Sequence, residues 1–243
     1  MKLKIGLFLL LCGCSGTWVT PPAFIQQDIR TPDYQIRTYQ KILSDTATIH
    51  IYIEGDGYAF NSHGQPTHDP TPHNTFFRKL ATSDAHCNIA YIARPCQYNM
   101  SPACTQSDWT DGRFSQQIID NISYVIKQIA KNRPVVLIGY SGGALLSGLI
   151  INQNPDIKIK HWITVAGVLN HTDWTEYFGD TPLTKSINMD TMPTVPQTHY
   201  IAEHDTIVPT ELSLKWTHGK NTIHIPNATH TNFPNLKIKP NLY

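Results

Sequence analysis

The chain has 243 residues, 40% of them hydrophobic and 15% charged, with a formal net charge of +1 at pH 7. It is long enough to bury a substantial core and too apolar for a disordered chain. The near-zero charge excludes an electrostatic nucleic-acid binder, and five cysteines in so long a chain exclude a disulfide-dense miniprotein.

The first residues carry Lys2 and Lys4, then an apolar run from Ile5 to Cys12 that ends in small residues. This is the layout of an export signal over residues 1–13, and the run is well short of the ~20 residues a spanning helix needs. Leu11-Cys12-Gly13-Cys14 resembles the lipobox of bacterial lipoproteins. The resemblance implies that Cys14 becomes a lipid-modified N-terminus. The non-acidic Ser15 implies an outer-membrane address, facing the periplasm or the surface. Removing residues 1–13 takes two lysines and no acid, so the net charge would move from +1 to −1. Residues 14–31, with Pro21 and Pro22 and no periodicity, read as a tether to a domain over residues 32–243.

Within that domain, residues 48–57 (TIHIYIEGDG) are β-branched and apolar and then break into glycines, which predicts a strand entering a tight loop. Phe76, Phe77, Leu80 and Ala81 fall at helical spacing, and residues 87–93 (CNIAYIA) read as a second buried strand. Residues 114–131 carry Ile118, Ile119, Ile122, Val125, Ile126 and Ile129 on one face, the strongest helix signal in the chain. After Asn132-Arg133-Pro134, residues 135–138 form an apolar run of the kind buried on both faces of a parallel sheet. A helix over 144–152 and strands over 162–166, 199–202 and 222–225 complete the alternation. The pattern predicts one α/β domain with a mostly parallel sheet, helices on both faces and active loops at the carboxyl ends of strands.

Gly139-Tyr140-Ser141-Gly142-Gly143 fits G-x-S-x-G between an apolar strand and a helix. A sharp strand-to-helix turn needs small neighbours and lifts the serine hydroxyl above the sheet, with the helix N-terminus ready to stabilise negative charge. With this context the chain resembles the α/β-hydrolases over most of residues 48–233, with a small cap or none. The resemblance implies Ser141 as nucleophile, Asp205 in the loop after residues 199–202, and His230 after residues 222–225 as general base. Glu203 is the second choice for the acid. The family's oxyanion donors correspond to Gly142 and to Asp56 or Gly57 in the Glu54-Gly55-Asp56-Gly57 loop. The Asp56 carboxylate must then point away or be paired, Arg94 being a candidate partner. This EGDG loop together with ARPCQY (residues 93–98) is similar to a group of exported bacterial hydrolases.

Cys96 and Cys104 lie eight apart in an irregular stretch, which makes a loop-closing disulfide easy, and Cys87 reads as a buried free thiol. His63, His68, His73 and Asp69 are more readily a solvated Pro-rich loop than a metal site, so no metal and no cofactor are expected. The aromatic stretch 174–178 reads as loop or as a small cap.

The expected function is a membrane-tethered serine hydrolase that cleaves a small-molecule or lipid-like carboxylic ester, with no nucleic-acid partner. A non-catalytic surface-binding lipoprotein on a hydrolase scaffold, an acyltransferase and a peptidase are the alternatives.

Overall fold

Eight strands form a single sheet in the computed structural model, which describes residues 19–238. They are β1 (Ile25–Arg30), β2 (Gln35–Ile42), β3 (Ile49–Ile53), β4 (Asn88–Ile92), β5 (Val135–Tyr140), β6 (Ile159–Val165), β7 (Gln197–Ala202) and β8 (Asn221–Ile225). Their spatial order is β1-β2-β4-β3-β5-β6-β7-β8. β1 and β2 pair antiparallel, β2 joins β4 antiparallel, and all pairs from β4 to β8 are parallel. The fold is a single α/β-hydrolase domain with a mostly parallel sheet.

Burial explains the apolar runs. Val135 and Leu137 of β5 enter one core with Ile118, Ile122 and Val125 of α2 (Gln116–Ala130) and Leu145 and Leu149 of α3 (Gly142–Gln153). Val136 and Ile138 enter the other core with Phe77 and Leu80 of α1 (Phe76–Thr82). Side chains alternate across a strand, so one strand feeding two cores must be apolar at every position. The α2 helix starts where the Ser115 side chain accepts the Ile118 N–H, and it ends at Lys131 in the left-handed region, φ 48°.

Three expectations need correction. The expected tether, residues 14–31, contains β1, so the domain reaches at least to Ile25 rather than starting at 32. β1 is an edge strand whose side chains are almost all exposed, and such a strand carries no hydrophobic alternation to read. Residues 174–178 are the end of a helix, α4 (His171–Phe178), which Asn170 caps by accepting the Asp173 N–H. A last helix, α5 (Thr210–Thr217), precedes β8. Cys87 is a free thiol but half-buried, because it precedes β4 instead of lying within it. Residues 1–13 and Cys14 lie outside the described residues. Among the described residues no helix is long and apolar enough to cross a membrane.

Candidate active site

The turn from β5 into α3 places Ser141 at φ 51°, ψ −124°, a conformation costly for a residue with a side chain. Its neighbours make the turn possible. A Cβ on Gly139 would lie 2.4 Å from the Gly143 carbonyl oxygen, and one on Gly142 would lie 2.1 Å from Asp56 Oδ1. The Ser141 side chain makes no capping hydrogen bond to its own helix.

Asp205 and His230 arrive from the loops after β7 and β8. His230 Nε2 lies 3.0 Å from Ser141 Oγ, and His230 Nδ1 lies 2.8 Å from Asp205 Oδ2. The other Asp205 oxygen accepts the N–H groups of Ile207 and Val208, both at 2.8 Å, so the carboxylate is fixed and its side chain is 1% exposed. An acceptor-only carboxylate at Nδ1 requires the proton there, which leaves the Nε2 lone pair toward Ser141. Tyr140, the variable residue of the G-x-S-x-G turn, donates from its hydroxyl to the His230 carbonyl at 2.9 Å. Glu203 is exposed and accepts the Asn227 N–H, away from His230.

The Glu54–Gly57 loop runs beside this line. Gly142 opens α3, where a backbone N–H has no partner within the helix. Asp56 is indeed paired: Arg94 Nη1 donates to its Oδ1 at 3.0 Å, and Arg113 Nε stands 3.1 Å from its Oδ2. Glu54 is buried and accepts the Tyr91 hydroxyl at 2.6 Å and the Gly55 N–H at 2.9 Å. Burial pushes its carboxyl above the usual range, with these hydrogen bonds opposing. Gln97 donates to the Gly55 carbonyl at 3.0 Å from a loop closed by the Cys96–Cys104 disulfide, whose Cα atoms are 5.8 Å apart. The loop after β4 therefore braces the loop after β3.

Ser141, His230, Asp56 and Gly57 open onto a cavity of about 370 Å³, walled by Phe60, Phe114, Val168, Trp174 and Ile207, with Arg113 and His171 among its polar lining beside Glu54, Asn74 and Thr231. Arg113 and His171 escape a reading of the sequence because each is a lone polar residue beside an aromatic or helical stretch. Tyr140 could have been noticed only through the turn it occupies. The histidines of the Pro-rich loop do not converge: His63 and His68 are exposed, and His73 stacks on Tyr58 with centroids 3.9 Å apart. Among the described residues no group of three metal-ligating side chains gathers.

Residues 27–220, most of the chain, match the model of the serine hydrolase (FSH1) family. The chain belongs to that family of serine hydrolases. Solved structures agree on the fold. A serine hydrolase without lid from Xanthomonas campestris, XC6422, is 12% identical with a TM-score of 0.53, over 88% of this chain and 89% of that one. Est1E from Butyrivibrio proteoclasticus, with ferulic acid bound, is 15% identical with a TM-score of 0.60, over 86% and 92%. The thioesterase domain from the curacin biosynthetic pathway is 14% identical with a TM-score of 0.55, over 86% and 94%. No curated protein is significantly similar to the chain.

Proposed function

We propose that this serine hydrolase cleaves carboxylic esters through an acyl-enzyme, with Ser141 as nucleophile, His230 as base and then acid, and Asp205 orienting the imidazole. The observation that carries the reading is the line Ser141 Oγ, His230 Nε2 and Nδ1, Asp205 Oδ2, joined by contacts of 3.0 and 2.8 Å and opening on an apolar cavity. In the first half-reaction Ser141 Oγ attacks the ester carbonyl carbon while its proton passes to His230 Nε2. The oxyanion that forms faces the Gly142 N–H and one from Asp56 or Gly57. On collapse the alcohol leaves with the proton held by His230, and water then repeats the sequence on the acyl-enzyme to release the acid. Arg94 and Arg113 serve the step indirectly. By holding the Asp56 carboxylate they compensate a negative charge that would otherwise oppose the oxyanion.

Labelling with an alkyl fluorophosphonate, located by peptide mapping, tests the nucleophile: the adduct is expected on Ser141. A protein that neither labels nor turns over any of a graded series of acyl esters would lose this reading to that of a binding scaffold. The Leu11–Cys14 resemblance supports a second element, a lipid anchor on Cys14 in the bacterial outer membrane. Detergent partitioning and intact mass should find a diacylated Cys14, and a soluble product with unmodified Cys14 would refute the anchor alone.

A further inference from the structure

Within the polar lining of the cavity, Arg113 and His171 form a corner that the serine–histidine line does not use. His171 opens α4 at 5% exposure, and neither of its ring nitrogens is hydrogen-bonded. The Ser186 carbonyl lies near the ring but outside hydrogen-bonding geometry. The imidazole runs parallel to the Phe114 ring, 4° between planes and 6.0 Å between centroids. The Arg113 guanidinium lies 5.7 Å from the centroid of that same ring and 5.9 Å from that of Trp174. Its Nη1 donates to the Thr110 carbonyl, and its Nε faces Asp56 without completing a hydrogen bond. His171, Phe114, Arg113, Trp174 and Asp56 all line the cavity.

Two facts about this corner point the same way. A buried imidazole without partners is a rare and costly arrangement unless something outside the chain completes it. Arg94 and Arg113 both face the carboxylate of Asp56, and the other carboxyl of this wall, Glu54, is pushed toward its neutral form by burial, so the guanidinium charge is incompletely matched. Burial and the neighbouring Arg113 cation lower the basicity of His171 against the Ser186 carbonyl and Asp111, which raise it, and the net lowering favours a neutral ring with one N–H to donate.

We propose that His171 and Arg113 form a subsite for a carboxylate at the far end of the substrate's acyl chain. The imidazole N–H and the guanidinium donate to its oxygens, and the aromatic walls exclude water around the pair. This inference rests on the ester-hydrolase reading of Ser141. It narrows the substrate class to half-esters of dicarboxylic acids over neutral esters of the same length.

The test compares p-nitrophenyl hexanoate with mono-p-nitrophenyl adipate, together with free adipate as an inhibitor of hexanoate hydrolysis. The wild type should favour the adipate ester at least about tenfold in kcat/KM, as expected for a charge-assisted hydrogen bond, and free adipate should compete. His171→Phe should erase that ratio, and His171→Gln, which retains an N–H donor, should restore part of it. Adipate inhibition of the wild type reads the subsite even where a variant fails to fold. A wild type that labels with fluorophosphonate and hydrolyses hexanoate, yet shows no preference and no adipate inhibition, overturns the subsite and leaves the Ser141 reading standing: water alone then completes His171. A wild type that neither labels nor hydrolyses either ester overturns both.

Discussion

Among the described residues two buried histidine–carboxylate pairs flank the sheet, and they differ in almost nothing but their surroundings. At the amino end of β3, His50 Nδ1 meets Asp84 Oδ2 at 2.6 Å, and the Tyr52 hydroxyl donates to the same oxygen at 2.7 Å. His86 stacks on His50 with centroids 4.1 Å apart, and the His50 and Asp84 side chains are 2% and 1% exposed. Beyond the carboxyl ends of β7 and β8, His230 meets Asp205 at 2.8 Å, with the histidine side chain 13% exposed. A buried, hydrogen-bonded pair is thus no mark of catalysis. What sets the second pair apart is a serine held at 3.0 Å from the free face of the imidazole and a cavity beside it. The first pair, closed in by Tyr52 and His86, reads as a packing device that ties α1's exit loop to β3.

Substitutions that treat the two pairs alike should therefore have unlike consequences. The largest effect is expected at Ser141 and His230. Ser141→Ala should abolish labelling, either alanine variant should lower kcat by several orders of magnitude, and the double variant should cost little beyond the singles. Asp205→Asn should be the next largest, about 10³- to 10⁴-fold in kcat with KM little changed, because the asparagine amide selects the wrong imidazole tautomer. Steady-state kinetics on a neutral ester separates these outcomes from loss of folded protein.

The matching change in the sealed pair, Asp84→Asn, should act on stability instead. Burial would raise the Asp84 carboxyl, but the hydrogen bond and charge of His50, the His86 N–H and Tyr52 hold it below its ordinary range. Replacing the charge and one of the two accepting oxygens with an amide NH2 should cost about 3–5 kcal/mol in urea unfolding while kcat per folded molecule stays at the wild-type value. A variant that kept its stability but lost turnover would break the distinction between the two pairs.

Much of this layout was legible because burial on both faces forces uninterrupted apolar runs. Val135–Ile138 announced β5, and the glycines after it announced the turn that carries Ser141. Asp205 and His230 could be picked out because each follows an apolar strand in the order the α/β-hydrolase resemblance implies. The edge strand β1 was not legible, since exposed side chains leave no alternation. Arg113 and His171 were not legible either. Their significance comes from meeting Asp56 and Phe114 across the cavity, and no local pattern encodes such a meeting.

Acidity extends the comparison to two further sealed histidines. His199 donates from Nε2 to Gln197 Oε1, 3.0 Å, and its Nδ1 lies 2.8 Å from the Thr164 hydroxyl, which can donate to it in the neutral ring. Burial lowers both His161 and His199 from 6.5 to about 4. A depressed base favours its neutral form in the fold, so this contribution is complete above pH 6.5 and is lost as pH falls toward 4. The loss should reach at most about 3 kcal/mol per histidine. Urea unfolding at pH 7, 5.5 and 4 should show the decline, and His199→Gln should remove its share and leave that of His161. Asp84, a depressed acid, should add its own loss only below its unfolded value of 3.8.

The smallest effect is expected from a hydroxyl that touches neither the serine nor the carboxylate. Tyr140 stacks on Phe77 with centroids 5.0 Å apart and donates to the carbonyl of His230, whose ring centroid is 5.1 Å away. The residue that precedes the candidate nucleophile is thus tied to the backbone of the candidate base. Tyr140→Phe keeps the stacked ring and deletes only the hydrogen bond. One such bond contributes about 1 kcal/mol, and its loss lets the imidazole sample positions away from Ser141 Oγ, so kcat should fall about fivefold. KM should hold, since the Tyr140 ring that lines the cavity stays in place. Tyr52→Phe deletes the corresponding bond in the sealed pair. It should cost a similar amount of stability and leave kcat untouched. If Tyr140→Phe also changes stability alone, Tyr140 is as purely structural as Tyr52, and the coupling between the two active loops is carried by packing of the rings.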